Sequence, residues 1–256
     1  AAISNHHSDN VSFRDPENQQ NGVKNETSAS TSNLLDKSDE NYKLKIFNSS
    51  LNLLAHTLIG AVTGVSIFFA FRNGLPLGPT PLHIVLCVIG YQLLMAQAIL
   101  SLSPHNGWSA SLKLVDKRRA HWILQILGSG LAIVGSVIKI LDNNVNFNTF
   151  HGQFAWIAFV LTVVCFVNGL TSNYAYELRK FFPPNLSKLT HICGGVVAFA
   201  AASISLCYGF DKNSFRNWAT LGLTPTAIAL TAAFTAIVIF NPLVVFIFKS
   251  ISIFKK

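Results

Sequence analysis

The chain is 256 residues long, half of them hydrophobic and only 12% charged, with a mean hydropathy of +0.42. Soluble domains carry about 25% charged residues, so a water-soluble globular fold is excluded and a polytopic helical membrane protein is expected. The net charge of +8 does not point to nucleic acid. The basic residues flank apolar segments, as they do at cytoplasmic membrane edges, and no nucleic-acid-binding motif accompanies them.

Residues 1–42 are rich in Asn, Ser, Asp and Glu without apolar periodicity and read as a disordered tail, in which the adjacent His6 and His7 are solvated. Lys43 and Lys45 precede a first apolar segment, Ile46–Phe71, and the turn-rich loop Arg72–Pro81 follows it. A second segment, Pro81–Leu102, is stopped by Ser103-Pro104-His105-Asn106-Gly107, and a basic loop with Lys113, Lys117, Arg118 and Arg119 leads to the third, Ala120–Leu141. The fourth, Gly152–Tyr176, ends before Glu177, Arg179, Lys180 and the breaker Pro183-Pro184. The fifth spans Ile192–Tyr208 and the sixth Ala219–Phe248, with Pro225 and Asn241-Pro242 marking a bend or an end. The domain division expected is therefore a tail at 1–42, a six-span unit at 43–248 and a short tail at 249–256.

Each segment is long enough to cross a hydrocarbon layer of ~30 Å at ~1.5 Å per helical residue. An even number of spans puts both termini on one side. Near the spans, that side holds twelve Lys and Arg residues, among them Lys117, Arg118, Arg119 and Lys249, against Arg72, Lys139, Lys212 and Arg216 opposite. The asymmetry places both termini in the cytoplasm. Sequons at Asn10, Asn25 and Asn48 argue the other way, but an Asn/Ser-rich tail produces such triplets by chance.

Four histidines recur at the openings of consecutive segments: His83, His121, His151 and His191. Alternating spans put His83 and His151 at one face and His121 and His191 at the other, which is the layout of two b-type haems, each held by two imidazoles. Zinc and copper sites gather several ligands closely, and no second ligand is expected beside any of the four on its own helix. Cys87, Cys165, Cys193 and Cys207 form no CxxC pair and read as buried structural thiols. Gly128, Gly130, Gly135, Gly169, Gly194 and Gly195 leave room for a ring or for close helix approach. His56, in the first span, has no partner in this scheme and reads as a hydrogen-bonding or packing residue.

Five segments carry a family likeness: Pro81-Leu82-His83, Gln97 through Pro104, Arg118-Arg119-Ala120-His121-Trp122-Ile123-Leu124-Gln125, Phe150-His151-Gly152-Gln153 and His191-Ile192-Cys193-Gly194-Gly195. Together they resemble the cytochrome b561 family, in its compact, domain-only form, over about Phe47–Phe240. The resemblance implies an all-α membrane protein of six transmembrane helices, with helices 2–5 forming a four-helix bundle around two haem b groups, and a homodimer. It implies transfer of electrons from cytoplasmic ascorbate to monodehydroascorbate or a ferric chelate on the opposite side. His83 with His151 would ligate the non-cytoplasmic haem iron and His121 with His191 the cytoplasmic one, and Lys117, Arg118 and Arg119 occupy the place implicated in ascorbate binding. There are departures: Asn146 stands where many members have a histidine, Ile84 follows the first ligand where proline is common, and Gln97 replaces a frequent acidic residue. They bear on the substrate more than on the haems. Rival expectations are a six-span transporter without cofactor and a haem-binding scaffold without reductase activity.

Overall fold

In the computed structural model, residues 16–173 and 183–254 are described. They form α1 (Pro16–Ala70), α2 (Pro79–Cys87), a π-helical stretch (Val88–Met95) running on into α3 (Ala96–Leu100), α4 (Leu114–Asp142), α5 (Phe150–Asn173), α6 (Pro184–Phe210), the short α7 (Asn213–Arg216) and α8 (Leu223–Phe254). There is no strand among the described residues. The expected tail over 1–42 lies outside the described residues as far as residue 15, and from Pro16 the backbone is helical. Tyr176, Arg179 and Lys180 also lie outside them. Asn48–Lys256 folds as one compact unit, and the residues before it form another.

Six stretches are long and apolar enough to cross a membrane: Glu40–Ala70, Pro79–Leu100, Leu114–Asp142, Phe150–Thr171, Asn185–Phe210 and Leu223–Ser252. The protein is an integral, multi-pass, all-α membrane protein. Several helices outrun the apolar segments that announced them. α4 begins at Leu114 and not at Ala120, and α6 at Pro184 and not at Ile192. Hydropathy marks only the hydrocarbon crossing, whereas the backbone ladder continues into the interface through good helix formers such as Lys117-Arg118-Arg119. At 29 residues α4 is ~43 Å long, well beyond the ~30 Å of hydrocarbon. α8 runs through Pro242 to Phe254, so that proline does not end it, and Pro225 sits in its first turn, where a missing N–H is harmless.

Four spans close a ring. α4 packs along α2 and the π-helical stretch, α5 against α4, α6 along α5, and α6 against the π-helical stretch; α8 packs on the outside of α6. Two cores result. One joins α1, α3, α6, α7 and α8 through Ile59, Phe69, Phe199, Phe215, Phe234 and neighbours. The other, inside the ring, is built from Tyr91, Met95, Ala132, Ala158, Ala201 and Ala202. Burying a side chain gives no hydrophobic gain over lipid, so small residues and satisfied polar groups decide the packing inside. Tyr91 meets Thr162 (3.3 Å) and Ser203 donates to Gln92 (3.3 Å), all four buried. Large apolar side chains such as Trp122, Leu127, Phe166 and Val167 point outwards, as lipid contact requires.

Backbone meets backbone between the π-helical stretch and α4. A Cβ at Gly90 would sit 2.6 Å from the Gly128 carbonyl oxygen, and one at Gly128 would sit 2.9 Å from the Gly90 carbonyl oxygen. Gly130, two residues along α4, has nothing within 4 Å. Gly128→Ala is therefore expected to destabilise the bundle by about 1–3 kcal/mol through forced separation, while Gly130→Ala is neutral or slightly stabilising. Thermal unfolding of the two variants in the same detergent checks this contrast.

Candidate functional site

Four histidines stand at two levels of the ring. His83 is the fifth residue of α2 and His151 the second of α5, and their rings face each other with centroids 6.2 Å apart and planes at 89°. His121 and His191 are each the eighth residue of their helices, α4 and α6, and face each other at 6.3 Å and 85°. These are the two pairs that span alternation names.

Backbone carbonyls hold the rings. Nδ1 of His83 lies 2.9 Å from the Gly135 carbonyl oxygen, that of His121 2.8 Å from Ala98, and that of His151 2.8 Å from Ser205. A carbonyl can only accept, so each Nδ1 carries the ring proton and each Nε2 keeps its lone pair. Ser205 grips harder still, its hydroxyl lying 3.2 Å from the same Nδ1 and donating to the His151 carbonyl at 2.9 Å. His191 differs. Its Nδ1 is buried without a hydrogen bond of ordinary geometry, the Cys165 carbonyl being the group it approaches.

The same contacts set the distance between levels. Gly135 lies fourteen residues beyond His121 on α4, and Ser205 lies fourteen beyond His191 on α6. Each interval is ~21 Å along a helix axis. α4 and α6 thus each carry a ring of one pair and the acceptor for a ring of the other. Glycines seat the rings: a Cβ at Gly169 would be 3.2 Å from His191 Cε1, and one at Gly209 would be 3.4 Å from His151 Cε1. A carbonyl acceptor fourteen residues away has no side-chain signature, so nothing in the sequence announces it.

The facing rings do not bond to each other. Two neutral imidazoles free to approach would close to ~2.9 Å between nitrogens, yet no hydrogen bond joins either pair among the described residues. Two metal–imidazole bonds of ~2.0 Å, plus ~1.1 Å from each ring centre to its own nitrogen, place centroids ~6.2 Å apart. That is the spacing of both pairs. No cluster of three or more His, Cys, Asp or Glu exists among the described residues, so the remaining positions around a metal would have to come from the metal's own ligand.

A cavity of about 490 Å³ opens on the His83/His151 pair. Ile84, Val88, Phe159, Leu206 and Phe210 make its walls apolar, and Arg72, Lys139 and Lys212 line it with positive charge. Lys139 is partly neutralised by Asp142 at 2.6 Å and also donates to Thr80 at 2.8 Å. Asn146 lines the same cavity, with its amide donating to the Ile140 carbonyl and accepting from Asn143.

At the other level the basic loop divides. Lys117 is buried, its ammonium donating to the Ser103 carbonyl at 3.2 Å, whereas Arg118 and Arg119 are exposed and Arg119 pairs with Asp116 at 3.2 Å. His56, left without a partner by the sequence, bonds to Asn106 and Gln97 on its two nitrogens. Two cysteine expectations need correction. Cys87, four residues after His83, stands beside it with Sγ 3.4 Å from Nδ1, on the side away from the lone pair, and Cys193 is exposed on the outside of the bundle, not buried. Helical periodicity decides both: a step of four residues returns to the same face, and Cys193 is two residues from the inward-facing His191.

Residues 82–216 match the family of eukaryotic cytochrome b561. The chain belongs to that family. The matched stretch contains all four paired histidines. The chain is also 30% identical over 163 residues to the transmembrane reductase CYB561D2 of Mus musculus, covering 62% of this chain and 72% of that one. The proteins of the same name from Homo sapiens (29% over 166 residues) and Bos taurus (28% over 163) are covered to the same shares. Membership in the cytochrome b561 family brings haem b with it, and stands against a transporter without cofactor. The residues fit that group. His83 with His151, and His121 with His191, would each hold a haem iron between their facing rings.

The two roles within the basic loop separate experimentally. Lys117→Met leaves a carbonyl without its charged donor and is expected to lower stability by about 1–3 kcal/mol. Arg119→Gln removes a solvent-screened pair and is expected to change stability by less than ~1 kcal/mol. Chemical unfolding of the two variants distinguishes them.

Proposed function

We propose that the protein passes electrons across the membrane, from cytoplasmic ascorbate through two haem b groups to monodehydroascorbate or a ferric chelate on the other side. The observation that carries this reading is the pair of imidazole gaps, 6.2 and 6.3 Å between ring centroids, set ~21 Å apart along the bundle. His83 and His151 are the ligands at the non-cytoplasmic level, and His121 and His191 at the cytoplasmic one, with both termini in the cytoplasm as the Lys/Arg asymmetry requires.

When bound, haem b supplies reversible one-electron exchange at iron. The chain supplies the rest. With two histidines holding it, a haem at either site would exchange electrons by outer-sphere transfer and not bind oxygen. The carbonyl contacts to Nδ1 of His83, His121 and His151 fix the tautomer and raise the basicity of those three rings as ligands. Tyr91, Met95 and the alanines between the levels keep water out of the middle of the ring. Exposed Arg118 and Arg119, beside the anchored Lys117, attract an anionic donor to the cytoplasmic end, while Arg72, Lys139 and Lys212 do the same for an anionic acceptor at the far cavity. A redox role agrees with the name transmembrane reductase borne by the mammalian relatives.

Replacing one histidine at either level, as His83→Ala or His121→Ala, is expected to lower haem content from two per chain to about one and to remove one component of the reduced-minus-oxidised spectrum. Wild-type vesicles loaded with ascorbate should reduce an external ferric chelate. Arg118→Ala with Arg119→Ala should raise the KM for ascorbate several-fold, less so at high salt, with haem content unchanged. Full haem loading without any vesicle activity would mean a haem-binding scaffold and not a reductase.

A further inference from the structure

His56 belongs to a chain of hydrogen bonds that the function above does not use. The indole N–H of Trp108 donates to Gln97 Oε1 at 3.3 Å, and Gln97 Nε2 donates to His56 Nδ1 at 2.8 Å. His56 Nε2 donates to Asn106 Oδ1 at 2.7 Å, Asn106 Nδ2 to Ser109 Oγ at 2.7 Å, and Ser109 Oγ to the Ser101 carbonyl at 2.9 Å. Asn106, Ser109 and Ser101 are fully buried.

The direction of every bond is fixed from the ends. An indole N–H can only donate, so Gln97 must turn its oxygen to Trp108 and its amide nitrogen to His56. That makes His56 Nδ1 the acceptor and Nε2 the donor, which in turn orients Asn106 and then Ser109. The far end is a carbonyl and can only accept. A chain running from a donor-only end to an acceptor-only end has no second orientation, so it cannot relay protons by reversing. It is a brace.

What it braces is the C-terminal turn of the second span, where helix carbonyls lose their intrahelical partners. The Ala98 carbonyl is the acceptor for His121 Nδ1 at 2.8 Å, and the Ser101 hydroxyl donates to that same oxygen at 2.7 Å. The brace thus ends one residue's bonds away from the group that orients His121. Lys117, one turn before His121 on α4, pins the neighbouring Ser103 carbonyl. Neither Gly135 nor Ser205, which hold the rings at the other level, takes part.

We propose that His56 is a positioning residue for the cytoplasmic redox centre: through Asn106, Ser109 and Ser101 it holds the Ala98 carbonyl against His121 Nδ1 and so sets the donor strength of that one ligand. The inference rests on the reading of His121 as a haem ligand. A firmly held acceptor makes the imidazole a stronger donor and favours ferric iron; cutting the brace weakens the ligand and raises the midpoint potential of that haem alone.

The test is a spectroscopic redox titration of the purified, haem-loaded full chain. His56→Leu and Ser109→Ala are each expected to shift one midpoint upward and leave the other unmoved, the shifted component being the one that His121→Ala lacks. His56→Gln, whose amide offers an acceptor and a donor at about the positions of the two ring nitrogens, is expected to keep the wild-type value. Unmoved midpoints in both His56→Leu and Ser109→Ala overturn the proposal, and so does an equal shift of both haems, which marks general loosening. If His56→Leu does not fold, Ser109→Ala, which removes a single oxygen, decides alone. Retention of both spectral components in His121→Ala overturns the ligand assignment itself, a failure distinguishable from that of the brace.

Discussion

An imidazole has two nitrogens, and a backbone carbonyl on a neighbouring helix decides which of them His83, His121 and His151 each turn inwards. With the proton committed to Nδ1, the lone pair on Nε2 is left for whatever occupies the gap, and the ring cannot swing to bond its opposite number. The net value of such a hydrogen bond is modest, about 0.5–1.5 kcal/mol. Its structural consequence is larger. Because α4 and α6 each carry one ring and the acceptor for another ring fourteen residues on, the two levels are locked to one another through two straight helices.

The membrane makes that arrangement feasible. In lipid every backbone group must be satisfied inside the protein, so the spans are helices and their ends need partners. The end of the second span meets this need unusually fully: its carbonyls are taken by His121, Lys117 and the hydroxyls of Ser101 and Ser109. Apolar burial does not hold the ring together against lipid, and the interior is accordingly built from alanine, glycine and paired polar residues. Gly90 and Gly128 let two backbones touch, and that contact draws α4 close enough to α2 for Gly135 to reach His83.

Charge is distributed differently at the two ends of the bundle. One end presents exposed arginines beside a lysine withdrawn into the structure; the other encloses three basic residues around a cavity with apolar walls. The contrast within the basic loop shows why a run of like charges is a poor guide to roles. Lys117, Arg118 and Arg119 are consecutive, but helical rotation of ~100° per residue turns one inwards and two outwards.

The sequence by itself determined the membrane class, the six spans, and the alternation that pairs His83 with His151 and His121 with His191. Those features rest on hydropathy and on helical rise, which are properties of the local chain. It did not determine how far α4 and α6 extend past the hydrocarbon, because the backbone ladder is indifferent to polarity where water or headgroups begin. Nor did it locate the acceptors at Ala98, Gly135 and Ser205, the crossing at which Gly90 and Gly128 let two backbones touch, or the partners of His56. Every residue carries a carbonyl, and several glycines occur in the spans; which of them matter is decided only when distant helices are brought into register, and that is a property of the tertiary structure alone.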